Sequence, residues 1–524
     1  MKKYIVLFSI ALLGLTACKS DYLDTAPEDM MGTATVLSST DNAALSINGI
    51  CKAMTNQYLS TQGLNGEGTI NVWYADVTGN DMQRCNQTGW APLWNSQYHL
   101  QKSSIYLYYP WFYYYKLIGN ANGIICNIDN ASGTESEKAF LKAQALTFRA
   151  YSFFRLAELY CFRWKDTQGN TPGIVLRIDQ STGDQPLSTL AETYAQIYKD
   201  LDEAIALYSV CGMDRDKNEF YKPNINVAYA VYARAALTRE DWQNAAKYAQ
   251  LARQGYKLMS ASNYFDGFSS QNSEWIWGVY EASDQTLYYY SMFAYLASNA
   301  SSSMQRTYPL CISRELIDQI PETDTRRSLF LVPQNDGEFS DGFAANGNPR
   351  ASAASNKDTS SPGSLRTRAF SENGSRLYST SQVYPYMHFK FLCTFTPGGG
   401  PFCIFRSAEM YYIEAEADCH LNQDAAAQQL LYDVTSIYDK AYTKSTKTGN
   451  DLLEEVKLYR RFDLWGEGHN YFDYKRWGEP IVRKTYANGG SFHTTFAITI
   501  KPEDGNNWTW AIPNKESDYN ADIN

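Results

Sequence analysis

Four acidic side chains, Glu409, Glu414, Glu416 and Asp418, crowd into one short stretch of this chain. A glycosidase would need two carboxylates facing each other across a cleft. Helical spacing instead puts Glu409, Tyr412, Glu416 and His420 on one face of a single helix, where the i, i+4 pair Glu416/His420 could also grip a metal. The preferred reading is structural. Arg149 and Arg234 sit in helices with largely apolar neighbours, and a partly buried guanidinium demands a carboxylate. Glu409 and Glu416 are therefore expected to pair with arginines, and no catalytic residue, metal or cofactor is expected. Other reaction signatures are missing: there is no Gly-x-Ser-x-Gly elbow, no His-Glu-x-x-His and no Gly-rich phosphate loop. The five histidines, His99, His388, His420, His469 and His493, are isolated in the sequence. Asn335-Asp336-Gly337-Glu338 and Asp341-Gly342 offer oxygens but miss the EF-hand spacing, and read as a solvated turn.

The elements that must position these residues are mainly helical. Thr134 to Glu137 fits a capping box ahead of an apolar stripe through Ala139, Ala143, Leu146, Ala150, Phe153 and Ala157. Thr189 to Glu192 opens a second stripe through Leu190, Tyr194, Ile197, Leu201 and Ile205. Helices are expected over Asn226 to Leu237 and Asp241 to Arg253, the second followed by Gly255. In the latter, Trp242, Ala245 and Tyr248 share a face, as in the first helix of a tetratricopeptide repeat. Ser407 to Leu421 and Asp424 to Tyr438 form another candidate pair, and Leu452 to Leu464 is helical again. Between about Asn263 and Cys403 the chain turns to Ser, Asn, Gly and Tyr with weak periodicity, which predicts long loops and short elements.

Both ends of this frame carry further information. Lys2 and Lys3 precede an apolar run from Ile5 to Leu15, ending in Leu15-Thr16-Ala17-Cys18. That is a secretory signal peptide (1–17) with a lipobox, so Cys18 is expected to become a lipidated first residue. A polar, aperiodic tether (18–40) follows, and no later stretch reaches the ~20 apolar residues of a membrane helix. Net charge is −10 with dispersed basic residues, which argues against nucleic acid. The cysteines are scattered singly with no Cys-x-x-Cys, so neither a disulfide framework nor a zinc module is indicated. Aromatic content is 15%, with 41 Tyr and 12 Trp, which points to a use for flat, amphipathic rings.

Several separated segments together resemble the SusD/RagB family of outer-membrane nutrient-binding lipoproteins. They are Cys18 to Pro27, Tyr115 to Asn122, Arg149 to Phe154, Tyr232 to Leu237, Phe405 to Ala417, Leu464 to His469, Phe472 to Trp477 and Ile512-Pro513. Asp463 stands near where the family often has Glu, and Asn470 where it often has Arg, departures that bear on local ion pairs and not on the resemblance itself. The resemblance implies an all-α fold of tetratricopeptide-like helix pairs packed against an irregular, loop-rich half. On this basis 41–524 forms one domain, with a helical frame at about 41–260 and 405–480 and a loop-rich part at about 261–404. It also implies capture of a glycan or other nutrient oligomer at the cell surface. The ligand would pass to a SusC-like TonB-dependent transporter that the protein caps. The family has no catalytic residues to carry over, and its ligand contacts lie in variable loops.

A binding surface is therefore sought among loop aromatics. Sugar C–H faces pack on aromatic planes while hydroxyls need amide and carboxylate partners. Trp90, Trp94, Asn95 and Tyr98, with Asp81 and Gln97 nearby, suit that chemistry on the stretch Asn80 to Tyr98. Tyr288, Tyr289 and Tyr290 form a second patch after Trp275-Ile276-Trp277. The competing reading is that Trp90 and Trp94 plug the core beneath their loop. Trp111, Phe112, Tyr115, Trp242, Tyr411 and Tyr412 are assigned to the helical framework. The leading expectation is a glycan-binding surface lipoprotein; a lipid-anchored glycoside hydrolase and a helical scaffold for protein partners are the alternatives.

Overall fold

A computed structural model describes residues 37–61, 63–84, 91–283, 291–335, 337–338, 365–501 and 508–523. The signal peptide, Cys18 and most of the tether, together with Trp90 and Tyr288, Tyr289 and Tyr290, lie outside the described residues.

The main helices are α1 (Thr40–Ala53), α2 (Ile105–Asn127), α3 (Glu135–Tyr160), α4 (Leu190–Cys211), α5 (Ile225–Thr238), α6 (Trp242–Ala252), α7 (Ser407–His420), α8 (Asp424–Tyr438), α9 (Gly449–Asp463) and α10 (Asn470–Trp477). Their starts are set locally. Both expected capping boxes form: Thr134 and Glu137 exchange hydrogen bonds at the head of α3, as Thr189 and Glu192 do at α4. Asp241 caps α6 through the Asn244 N–H. Helix α4 stops at Gly212, whose φ of +68° suits a residue without a Cβ. The helix read from Asn226 begins at Ile225 with Asn224 as its cap. Asn226 Nδ2 instead donates to the Ala252 and Gln254 carbonyls, closing the far end of α6.

These helices pack pairwise in sequence: α2 on α3, α3 on α4, α4 on α5, α5 on α6, α6 on α7, and α7 on α8 and α9. This is the tetratricopeptide-like arrangement, in which each pair buries its apolar face against the next. Small residues permit the close approach: Ala233, Ala236, Ala245, Ala249 and Ala252 are all buried between α5 and α6.

The irregular part carries only short helices and two-stranded antiparallel ladders. The ladders pair β1 (Met82–Arg84) with β5 (Leu310–Ile312), β2 (Pro172–Val175) with β3 (Leu187–Thr189), β4 (Trp275–Val279) with β6 (Phe402–Arg406), and β7 (Ile481–Val482) with β8 (Thr499–Ile500). Strand β6 leads straight into α7, so β4 and β6 join the loop-rich part to the frame. A continuous apolar cluster runs through both. Much of the aromatic excess lies inside it: Trp73, Trp94, Trp111, Trp277, Trp465, Trp508 and Trp510 are buried there. No helix of the described residues is long and apolar enough to cross a membrane.

Candidate functional site

Three of the four carboxylates on α7 are held by arginines; the fourth, Asp418, is buried without an arginine hydrogen bond among the described residues, and burial pushes its pKa up to about 6. Glu409 takes both Nε and Nη2 of Arg234 at 2.7 Å, and the guanidinium also lies over the Phe405 ring at 3.7 Å. Glu416 is paired with Arg476, at 2.7 Å through Nη2, and accepts the Trp477 indole N–H at 2.8 Å. Burial alone would raise the Glu416 pKa, but Arg476 overcomes it and holds the group down at about 2. Glu414 pairs with Arg253, and Arg149 forms a fork on Asp200 at 2.8 and 2.6 Å. At Glu409, Glu416 and Asp200 the arginine contacts occupy both oxygens of the carboxylate, whereas Arg253 meets Glu414 through Oε2 alone. His420 stacks on Trp242 at 3.9 Å and 11°. Among the described residues no group of three or more His, Cys, Asp or Glu is placed to hold a metal. Glu338 is buried and bound by Arg368 at 2.7 and 2.8 Å, so its turn is not merely solvated as the sequence suggested. Asp341 and Gly342 lie outside the described residues.

A larger ionic network lies where β6 meets α9. Arg406 donates to Glu467 (2.6 Å), Glu274 (3.0 Å) and Asp463 (2.8 Å). Arg326 is forked onto Asp324 and reaches Asp463 at 3.4 Å, while Lys390 Nζ binds Glu467 at 2.7 Å. All of these groups are buried. Such charges are tolerated only because each is paired and hydrogen-bonded. Only one of the two departures from the family pattern lies in this network. Asp463 serves both arginines, and Asn470 Oδ1 accepts the Asn80 N–H at 2.7 Å.

The stretch from Asn80 to Tyr98 is built on a π-helical segment, Ile70–Asp76, which presents Trp73. Trp94 stacks on Trp73 at 5.4 Å and 24°. The Arg84 guanidinium, carried on β1, lies over both rings at 5.1 and 5.3 Å and over Tyr308 at 5.7 Å. Tyr295 meets Trp73 edge-on at 4.9 Å, and Phe496 meets Trp94 in the same way at 5.4 Å. Thus β1, the short helix Ala91–Trp94 and the helix Met292–Leu296 converge on one aromatic stack. The first two lie within the segment Asn80 to Tyr98, and the third begins two residues after Tyr290.

Two of the expected ligand contacts are framework instead. Trp94 is 1% exposed, so its ring faces are occupied by Trp73, Arg84 and Phe496 and offer no platform to solvent. Asp81 is buried in a fork from Arg461 at 2.8 and 2.6 Å, and its carbonyl accepts the Trp465 indole at 2.9 Å. The physical reason is shared: a large ring or charge beside a rigid element gains more from burial with a partner than from water. Asn95 and Tyr98 stay at the rim, half-buried, and Gln97 is exposed. Asn95 Nδ2 donates to the Thr495 carbonyl at 3.1 Å, and Tyr98 stacks on Tyr106 at 4.8 Å. Sequence reasoning missed Trp73, Arg84 and Tyr308. Trp73 sits in a continuous apolar run, a signal only of burial, and a π-helical turn has no sequence signature.

Comparison with known proteins follows the same lines. A family model described as "Starch-binding associating with outer membrane" matches residues 21–237, and the model of the SusD family matches residues 242–523. A SusD-like carbohydrate binding protein from Bacteroides vulgatus ATCC 8482 is 23% identical with a TM-score of 0.74, over 93% of this chain and 97% of that one. A putative sugar binding protein from the same organism is 21% identical, TM-score 0.72, over 94% and 98% of the two chains. A SusD superfamily protein from Bacteroides thetaiotaomicron VPI-5482 is 22% identical, TM-score 0.71, over 93% and 99%. At these identities the likeness establishes the shared fold. No curated protein matches the chain.

Proposed function

The chain belongs to the SusD family, and from that premise we propose that it is a lipid-anchored, non-catalytic surface protein that binds oligosaccharides and delivers them to a SusC-like TonB-dependent transporter of the outer membrane. Carbohydrate binding is what the family is known for, and the outer membrane is where its members associate. The observation that carries the reading to particular residues is the convergence at Trp73. The described ends of both aromatic segments are fixed on one rigid stack, so ligand-facing residues there would start from defined positions. The forked pairing of Glu409 and Glu416 supports the non-catalytic part, since a hydrolase needs carboxylates free to exchange protons.

On this reading the recognition surface comprises Asn95 and Tyr98 at the rim together with Trp90, Tyr288, Tyr289 and Tyr290. The test combines a panel of host and plant polysaccharides with Trp90→Ala and Tyr289→Ala. Binding without release of reducing ends is expected. By analogy with base stacking, each variant should lose ~1–3 kcal/mol of affinity with its melting temperature unchanged. Release of reducing ends would replace the reading by a hydrolase; unchanged affinity in both variants would move the surface elsewhere.

Anchoring is tested separately. Cys18→Ser is expected to release the protein from membranes without altering its melting temperature, because the polar, aperiodic 18–40 stretch is read as a tether and not as core. A Cys18→Ser protein that still pelleted with membranes in detergent-free fractionation would rule out the lipobox.

A further inference from the structure

Arg483 lies far along the chain from every residue so far assigned to recognition, on the residue after β7. Its backbone is tied to that ladder, the Arg483 N–H donating to the Ile498 carbonyl at 3.0 Å. Its side chain is buried, yet among the described residues it has no carboxylate partner. Among the described residues, every hydrogen bond it makes goes to a backbone carbonyl. Nε donates to Gly79 O at 2.7 Å, Nη1 to Trp94 O at 2.6 Å, and Nη2 to Val77 O at 3.3 Å and to Thr78 O.

The placement of those carbonyls is informative. Val77, Thr78 and Gly79 directly follow the π-helical segment Ile70–Asp76, and Trp94 ends the helix Ala91–Trp94. Carbonyls leaving a helical turn have no partner further along it and carry partial negative charge. One planar guanidinium thus satisfies the ends of two separate segments, the second of which leads directly into the rim residues Asn95 and Tyr98. Lysine, with a single compact ammonium, could not span them equally. The Phe492 ring at 5.8 Å covers another side of the group.

We infer that Arg483 is a positioning residue for recognition: by clamping the carbonyls of Val77, Thr78, Gly79 and Trp94 together, it sets where Asn95 and Tyr98 stand relative to the Trp73 stack. This rests on the proposed glycan-binding role of that rim. It acts through the backbone and touches no ligand itself. Asp81 and Asn470 brace the same stretch from the other side, Asn470 Oδ1 accepting the N–H groups of Asn80 and Asp81 at 2.7 and 3.3 Å. Losing Arg483 should therefore loosen the stretch without unfolding the helical frame.

The experiment compares the full-length protein with Arg483→Met and Arg483→Lys. It reads amide hydrogen exchange in peptides covering 77–84 and 91–98, melting temperature, and affinity for the polysaccharide bound most tightly in the panel. Arg483→Met is expected to speed exchange in both peptides and not in those of α3 to α6. Its affinity should fall by about tenfold or more, because binding would then have to order a rim that Arg483 no longer fixes in advance. Arg483→Lys should fold and recover part of both effects, which carries the test should Arg483→Met fail to accumulate. Fast exchange confined to one peptide, or faster exchange with wild-type affinity, would overturn the positioning role. If the unmodified protein binds no glycan, the function proposed above falls. The inference about Arg483 then falls as a statement about recognition, while coupled exchange of the two peptides would still establish the clamp.

Discussion

Replacing Arg406 by methionine is expected to cost about 3–5 kcal/mol of folding stability, because it strips a buried cation from Asp463, Glu467 and Glu274 at once. Methionine fills similar volume, so the loss would come from uncompensated charge and not from a cavity. The pH dependence carries a second signature. Burial by itself would raise the Asp463 pKa, but Arg406 and Arg326 outweigh it and hold the group at about 2. An unfolded aspartate titrates near 3.9. A carboxylate depressed on folding contributes stability that is complete above the unfolded value and is lost as pH falls toward the folded one. The contribution of Asp463 should therefore be lost between about pH 5 and pH 2, as should that of Glu416, while Glu274 in the same network is raised by burial and acts in the opposite sense. Arg406→Met should show lower stability at neutral pH and a shallower acid limb. Urea unfolding across that range decides it; a variant with wild-type stability at pH 7 would show that the network contributes nothing.

Trp94→Ala should be nearly as damaging, at about 3–5 kcal/mol, the usual scale for truncating a buried tryptophan. The ring fills space between Trp73, Arg84 and Phe496, and its loss would leave the Arg84 guanidinium without one of its ring contacts. Here the prediction separates two meanings of one residue. A packed Trp94 lowers the melting temperature first; a platform Trp94 would lower glycan affinity while melting with the unmodified protein. Thermal unfolding and glycan binding measured on the same preparation distinguish them, and the second pattern would overturn the burial described above. Trp90→Ala, made in parallel, is expected to show the opposite pattern.

Much of the frame was legible because its signals are local. Thr134, Thr189 and Asp241 can satisfy helix-start N–H groups only within three residues, so their roles are visible in a short window. The pairing of Glu409 and Glu416 was legible in kind, since buried arginines require carboxylates, yet the partners were not. Arg234 lies 175 residues from Glu409, and Arg476 lies 60 from Glu416. Trp94 and Asp81 were misread for a related reason. A Gly-containing polar stretch looks exposed in sequence, and only the return of residues 461–496 against it buries both side chains.

The sequence by itself determined the helix pairs, their caps and the family, because periodicity, capping and motif order are written in neighbouring residues. It also determined that arginine–carboxylate pairs must exist, because unpaired buried charge is too costly. Only the tertiary structure decided which partners meet, which tryptophans are core, and that Arg483 gathers carbonyls from two distant segments. Those outcomes depend on contacts between residues tens to hundreds of positions apart. Chain composition constrains such contacts by volume and charge but does not order them in space.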